Sequence, residues 1–168
     1  MSLLAVFNLI ETSKLSDLRV HAQPVVVKKL LGKKTIDNYW NYLQTNSTIL
    51  YGLNPDDLNG GILLNIIQFL NNYKKLNLQD SAYIDASADI TEKQQRSTLI
   101  LTTKHKTQFN DIINVATISL DECRAANIEF SDDDSDESVA AFIEGLTVLR
   151  NVLNQIQDDN SVIIFTIG

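Results

Sequence analysis

The chain has 168 residues, of which 44% are hydrophobic and 21% charged, and its formal net charge is −7. This length suits one domain with a full hydrophobic core, and the composition is ordinary for a globular protein. No run approaches the ~20 apolar residues that cross a bilayer, and no basic leader precedes the first apolar run, so we expect a cytoplasmic protein without a membrane segment. The single cysteine, Cys123, excludes an internal disulfide and suits a reducing compartment.

The negative charge is concentrated in the second half of the chain. Residues 1–75 hold 8 Lys/Arg and 5 Asp/Glu, whereas residues 76–168 hold 6 and 16, which gives a net charge of −10 there. Nucleic acids and anionic membranes are themselves negatively charged, so both are disfavoured as partners. The remaining interpretations of the acidic half are a basic protein partner and solubility.

The first part of the chain predicts one strand followed by helical segments. The apolar run Leu3–Ile10 is typical of a strand buried on both faces. Thr12 or Ser13 can cap a helix that reaches His21. Pro24 then either breaks this helix or begins another turn, with Val25–Leu31 as the apolar continuation. The basic residues nearby are expected on the solvated end of that helix: Lys28, Lys29, Lys33 and Lys34.

The middle of the chain predicts a short helix capped by Thr35 and a buried helix that contains the apolar stretch Ile62–Leu70 and reaches Tyr73. Asn54-Pro55-Asp56-Asp57 has the form of a helix start, and Gly60-Gly61 is expected to allow a bend. Further along, Tyr83–Ile84 is a candidate short strand, and the β-branched run Thr98–Thr103 is a stronger one.

The last third predicts three helices and a final strand. Phe109, Ile112, Ile113 and Ala116 have helical spacing, and Ser119-Leu120-Asp121-Glu122 has the form of a capping box. A long apolar stripe predicts a helix over Ser135–Gln157. The run Ser161–Gly168 (SVIIFTIG) predicts a second doubly buried strand. The sequence therefore predicts a single domain over residues 1–168 of mixed α+β class, with a mixed sheet that includes both terminal strands and helices packed on both faces.

Part of the chain resembles a known family. The segment Ile36–Leu43 (IDNYWNYL), followed by Leu50-Tyr51-Gly52, is similar to the tryptophan-containing helix-and-glycine segment of the YfbM-like family. The long helix that leads into an apolar C-terminal strand, and the segment Ile112–Phe130, are similar to other parts of it. These are small bacterial cytoplasmic proteins of unassigned function. The resemblance covers roughly half the chain, and it implies a mixed sheet with helices on both faces but no activity.

The densest charge lies in Ser131–Glu137 (SDDDSDE). Three of its aspartates have the spacing of the first calcium-loop ligands, but the glycine and bidentate glutamate that such a loop requires are replaced by Glu137 and Ile143, so we expect no metal site. Acids before a helix stabilise its N-terminus by about 0.3–1 kcal/mol each, and this run exceeds that need. The remaining hypothesis is a docking surface for a basic protein, formed by Asp132, Asp133, Asp134, Asp136 and Glu137.

Residues suited to catalysis are few and scattered. His21 and His105 have no evident orienting group nearby in sequence. His21 is expected to form a surface pair with Asp17, and His105 to lie in an exposed turn. Cys123 is expected to be a small buried apolar residue. We therefore predict no catalytic residue and no cofactor.

The sequence leaves two hypotheses about function. The first is a non-catalytic protein-binding domain, of which one form is an immunity or antitoxin protein that masks the cationic site of a toxin. The alternative is a small hydrolase whose carboxylates converge only in the fold, for instance Asp85, Asp89 and Glu92.

Overall fold

The computed structural model describes residues 3–29, 32–52 and 60–168. The strands are β1 (Ala5–Glu11), β2 (Val25–Lys29), β3 (Gly32–Ile36), β4 (Ser47–Tyr51), β5 (Ser97–Leu101) and β6 (Ser161–Ile167). The helices are α1 (Leu15–His21), α2 (Tyr39–Asn46), α3 (Gly60–Lys74), α4 (Ile84–Gln94), α5 (Thr103–Ile112), α6 (Leu120–Ser131) and α7 (Asp136–Leu153). A 3₁₀ turn, Thr12–Lys14, precedes α1. None of these helices is long and apolar enough to cross a membrane.

Four strands form one sheet in the order β4-β1-β6-β5, and β2 and β3 form a separate hairpin. The two terminal strands, β1 and β6, therefore lie side by side at the centre of the main sheet. The predicted class, α+β with both terminal strands in one sheet and helices on both faces, is confirmed. Every pairing in the sheet is antiparallel, where a mixed sheet was expected.

The side chains of β6 alternate between two hydrophobic cores. Ile163 and Phe165 point into the first core, and Val162 and Ile164 point into the second. This alternation follows from the two-residue period of a strand. In the first core, the Phe165 ring stacks on Phe7 of β1 with 4.0 Å between the ring centroids.

Helices cover both faces of the sheet and complete the two cores. Helices α3, α5, α6 and α7 pack on the first face, and α1, α2 and α4 pack on the second. The second core also holds a buried polar pair, in which the Tyr39 hydroxyl lies 3.1 Å from Thr166 Oγ1. Burial raises the pKa of Tyr39 to about 12, so the phenol stays protonated at neutral pH.

The outer border of β5 is bonded to side chains of α4. The Thr98 backbone N–H donates to Thr91 Oγ1 at 3.0 Å, and the Thr98 carbonyl accepts from the Ser87 hydroxyl. Ser87 and Thr91 lie one helical turn apart, so both hydroxyls face the same strand residue. Two helix side chains thus take the place of a neighbouring strand at this position.

Three expectations about local structure are wrong. The Val25–Leu31 segment, expected to be helical, forms strand β2 as far as Lys29, paired with β3 from Val25↔Ile36 to Lys29↔Gly32. Because Ile36 belongs to β3, the next helix begins at Tyr39, not near Thr35. Tyr83–Ile84 is not a strand, since Ile84 begins α4. Short apolar segments are compatible with both the helical and the strand periodicity, and contacts with the rest of the fold decide which structure forms.

The expected helix start at Asn54–Asp57 lies outside the described residues. Gly60 and Gly61 are the first described residues of α3, where a bend was expected. The backbone N–H of Gly60 donates to the carbonyl of Leu3 at 2.8 Å, and a Cβ at this position would lie 3.0 Å from two atoms of Leu3. A glycine therefore permits α3 to approach the segment that leads into β1.

The central position of β6 gives the first testable prediction. Phe165→Ala removes a fully buried ring that stacks on Phe7, so we expect the free energy of unfolding to fall by about 3–5 kcal/mol. The control, Val20→Ala, truncates a side chain that is 69% exposed and should change it by less than ~0.5 kcal/mol. Denaturant titration measures both. Deletion of Val162–Gly168 should abolish cooperative unfolding, and a truncated chain that melts near the parent temperature would contradict a central role for β6.

Candidate functional site

The acidic residues singled out from the sequence lie in the turn between α6 and α7. Asp136 and Glu137 are the first two residues of α7, and the others occupy the turn itself. All five side chains are exposed. The fold therefore leaves the whole run accessible to a partner. We call these five residues the acidic turn: Asp132, Asp133, Asp134, Asp136 and Glu137.

The backbone of the acidic turn is held by local hydrogen bonds. Asp132 ends α6 in the left-handed conformation, with φ +53°, and its N–H donates to the Ile128 carbonyl at 3.0 Å. Asp133 Oδ1 accepts from the Ser135 N–H at 2.9 Å, and Ser135 Oγ accepts from the Ser138 N–H as the N-cap of α7. The bond from Ser135 lowers the pKa of Asp133. The turn thus joins a helix end to a helix start in one defined conformation.

Arg124, on α6, links its helix to the acidic turn. Its guanidinium donates to the Asp134 carbonyl and to Asp136 Oδ1, the latter at 2.6 Å. The hydrogen bond to Asp136 raises the pKa of Arg124. By contrast, the carboxylates of Asp132, Asp134 and Glu137 make no hydrogen bond or ion pair with any described residue. Part of the charge therefore organises the turn, and the rest is available to a partner.

Exposed apolar side chains lie next to this charge on α6. Ile128 is 47% exposed and Ala125 is also exposed, while Asp121 and Glu129 occupy the same side of the helix. Glu129 accepts a hydrogen bond from the Tyr73 hydroxyl of α3. We call these four α6 residues together with the acidic turn the acidic surface. Two exposed apolar side chains thus lie among exposed acidic ones on this face of α6. The sequence reasoning missed the apolar part, although Ala125 and Ile128 have the spacing of one helix face.

The calcium-like spacing of Asp132, Asp134 and Asp136 does not produce a cluster of ligands. Among the described residues, no group of three or more His, Cys, Asp or Glu side chains could hold a metal ion. Asp136 is engaged by Arg124, whose guanidinium supplies the positive charge near this carboxylate. The arrangement explains the turn without a metal.

The carboxylates of the alternative, hydrolytic hypothesis are placed along α4. Asp89 accepts from Lys93 Nζ and from Arg19 Nε, both at 2.9 Å, and these two bonds lower its pKa. The arrangement ties α4 to α1. Asp85 and Glu92 are exposed on the same helix, and the three carboxylates do not converge on a common point. The nearby positive charges thus give Asp89 a structural role.

His105 is buried, so the expectation of an exposed turn is wrong. It lies in the first turn of α5, where Nδ1 accepts from the Thr102 N–H at 3.0 Å and the Thr102 side chain accepts from the His105 N–H. These reciprocal bonds form a capping box. Burial, followed by the nearby charge of Lys104, lowers the pKa of His105 to about 4. The ring is therefore neutral at pH 7 and serves as a helix cap.

The other two candidate catalytic residues, Cys123 and His21, are also engaged in structural contacts. Cys123 is buried in the first core, as predicted, and burial raises the pKa of its thiol to about 11. Its neighbour Arg124 points to the acidic turn. His21 bonds through Nδ1 to the backbone carbonyl of Asp17, not to its carboxylate, and its ring stacks on Tyr42. A buried, protonated thiol is a poor nucleophile.

Comparison with models of protein families, with curated proteins and with solved structures finds no match. The resemblance to the YfbM-like family therefore stays a prediction from the sequence. The acidic surface has to be interpreted from its own geometry.

The arrangement of the acidic turn predicts that it does not bind calcium. Addition of millimolar calcium should leave the melting temperature unchanged, because Arg124 engages Asp136 and the ligands do not converge. A calcium-dependent rise that disappears in an Asp132→Asn, Asp134→Asn double variant would contradict this.

The buried His105 predicts a pH-dependent stability. Its pKa is about 4 in the folded protein and 6.5 as the ordinary value, so between these pH values the unfolded chain binds more protons. The free energy of unfolding should therefore fall on acidification through this window, by at most about 3 kcal/mol from this group. His105→Gln can keep the capping bond, since glutamine suits this position, and should flatten the dependence.

Two measurements keep the His105 prediction testable. Denaturant titrations at several pH values compare the parent with His105→Gln. NMR titration of the His105 ring in the parent reads the pKa directly. A value near 6.5 would show that burial does not act on this ring as described.

Proposed function

We propose that this protein is a non-catalytic cytoplasmic binding domain that recognises a basic protein through its acidic surface. The observation that carries the proposal is the combination, on one face of α6 and the following turn, of accessible carboxylates with the exposed apolar side chains Ala125 and Ile128. Charge alone would attract any cation, whereas an apolar centre gives a protein partner area to bury.

The order of the acidic turn supports recognition more than general solubility. Hydrogen bonds from Ser135 and Arg124 fix the turn before any partner arrives. A pre-ordered surface avoids the entropy loss of fixing a loop on binding. Five acids in seven residues also exceed what the N-terminus of α7 requires.

The finer form of this proposal is an immunity or antitoxin protein. Toxins that act on nucleic acids carry cationic sites, because their substrate is a polyanion. An acidic surface with a rigid backbone is complementary to such a site in charge and can cover it. The same complementarity accelerates the encounter, which matters where a toxin must be neutralised quickly.

Association with the partner should be steered by charge. The probe is the strongly basic protein that we expect to be encoded beside this gene, and the measurement is stopped-flow or surface-based kinetics. The on-rate should fall several-fold between low and physiological salt. It should fall again, with a smaller change in the dissociation rate, when the acidic turn is neutralised by Asp→Asn and Glu→Gln replacement of all five residues.

A matched control separates a specific surface from overall charge. It also removes five negative charges, but from exposed acids elsewhere, by the amide replacements of Asp17, Asp85, Glu92, Asp111 and Glu144. The control should bind with an on-rate close to that of the parent. Equal on-rates for the parent and the neutralised turn, or capture of no basic protein from the native cytoplasm, would refute the proposal. Ile128→Ser should raise the dissociation rate, because the apolar centre acts after the encounter.

A further inference from the structure

The hairpin of β2 and β3 is set apart from the rest of the described chain. Its two strands form their own sheet, and the main contacts of each are with the other. Three of its apolar side chains are exposed: Val25, Val26 and Val27 are 47%, 58% and 37% exposed. A two-stranded hairpin with exposed apolar residues is marginal in water, so burial against another surface would stabilise it.

The hairpin also carries positive charge that no described acidic side chain pairs with. Lys28 lies directly opposite Lys33 in the register, and Lys34 lies opposite Val27. All three lysines are exposed and form no ion pair with a described residue. Like charges on opposite residues of a hairpin are destabilising. The sequence of residues 25–36 contains no acid, although the whole chain has a net charge of −7.

We propose that the hairpin docks on the acidic surface of a second copy of this chain. The two surfaces match in two independent properties. Val26, Lys28 and Lys33 lie on one face of the hairpin, because side chains alternate along each strand and Lys28 is paired with Lys33. On this face the two lysines can meet carboxylates that make no bond to a described residue, and Val26 provides apolar area opposite Ala125 and Ile128. Opposite charge at the rim and apolar area at the centre are what an interface requires.

The fold favours contact between copies over contact within one chain. The hairpin follows α1 and leads into α2, which pack on one face of the main sheet, whereas α6 and α7 pack on the other. The sheet thus lies between the helices that flank the hairpin and the helices that carry the acidic surface. Association is therefore head-to-tail, with a different surface contributed by each copy.

This inference does not depend on the proposed function, although both use the acidic surface. In the free protein the hairpin of a neighbouring copy would occupy that surface, and a tighter basic partner would displace it. The two ideas fail separately, because self-association is measured with the purified protein alone. Recognition of a basic partner is measured with the partner in excess.

The first experiment is sedimentation velocity of the full chain over a wide concentration range. At low ionic strength the parent should associate as concentration rises, and physiological salt should weaken this association by about tenfold or more, since exposed charges are screened. Val26→Thr keeps a β-branched side chain on the hairpin and should weaken association. Val20→Thr, on α1, should not. A parent that stays monomeric at every concentration in low salt would overturn the proposal.

A charge-reversal experiment tests the pairing itself. One variant carries Lys28→Glu and Lys33→Glu, and the other carries Asp132→Lys, Asp134→Lys and Glu137→Lys; Asp136 is left intact because it holds Arg124. The second variant leaves two acids against three lysines in the acidic turn, so the sign of the turn is reversed. Each variant alone should be monomeric, because its hairpin and its acidic turn then carry charge of the same sign. An equimolar mixture should associate, since each hairpin now meets an acidic-turn region of opposite sign. Both variants keep a net negative charge, so overall attraction cannot produce this result.

Failure of the mixture to associate would overturn the proposal, provided that circular dichroism shows both variants folded. A duplex DNA probe tests the alternative occupant. Binding of DNA by a monomeric parent, lost in the Lys28→Glu, Lys33→Glu variant, would assign the hairpin to a polyanion and likewise overturn the proposal.

Discussion

The structure depends on the central position of β6 beside β1. Each residue of β6 from Val162 to Phe165 is buried, and successive side chains enter different cores, so this strand, like its neighbours β1 and β5, contributes to both helical layers. The rings of Phe7 and Phe165 stack across these two paired strands within the first core. A doubly covered strand needs no polar face, which explains its unbroken apolar sequence in an antiparallel sheet.

The charged side chains outside this sheet have two kinds of surroundings. Where a carboxylate meets a cation at the join of two elements, as Asp89 meets Arg19 and Lys93, the pair ties helices together. Exposed pairs of this kind contribute little stability individually, so their value lies in orientation. In the acidic turn, Arg124 neutralises only part of the charge, and the remainder stays exposed in a fixed geometry. The same residue types are therefore paired at one place and left exposed at another, and the surroundings decide between the two.

Much of the fold could be predicted because long periodic segments carry their own signal. The stripe of α7 and the apolar run of β6 were identified, since each repeats one period over many residues. The segment Val25–Val27 was wrongly predicted as helix, because three adjacent valines show neither the helical nor the strand periodicity. Their strand conformation depends on pairing with β3, which is a separate segment of the chain. His105 was wrongly predicted to be exposed, because the lysines on either side of it are typical of a solvent-exposed turn. Its burial is set by tertiary packing. The acidic turn could be identified from its charge in the sequence. Its apolar neighbours and its bonds to Arg124 become evident only when α6 and α7 are placed together.

The bonding of Thr98 to Ser87 and Thr91 has a consequence for the behaviour of the sheet at high concentration. A border strand ordinarily offers its backbone groups as a template for strands from other molecules, which is a route to aggregation. At Thr98 both backbone groups are already engaged by side chains of the same chain, so an incoming strand would have to displace α4 hydroxyls to pair there. At this position the chain thus protects the margin of its sheet against pairing with a strand of another molecule.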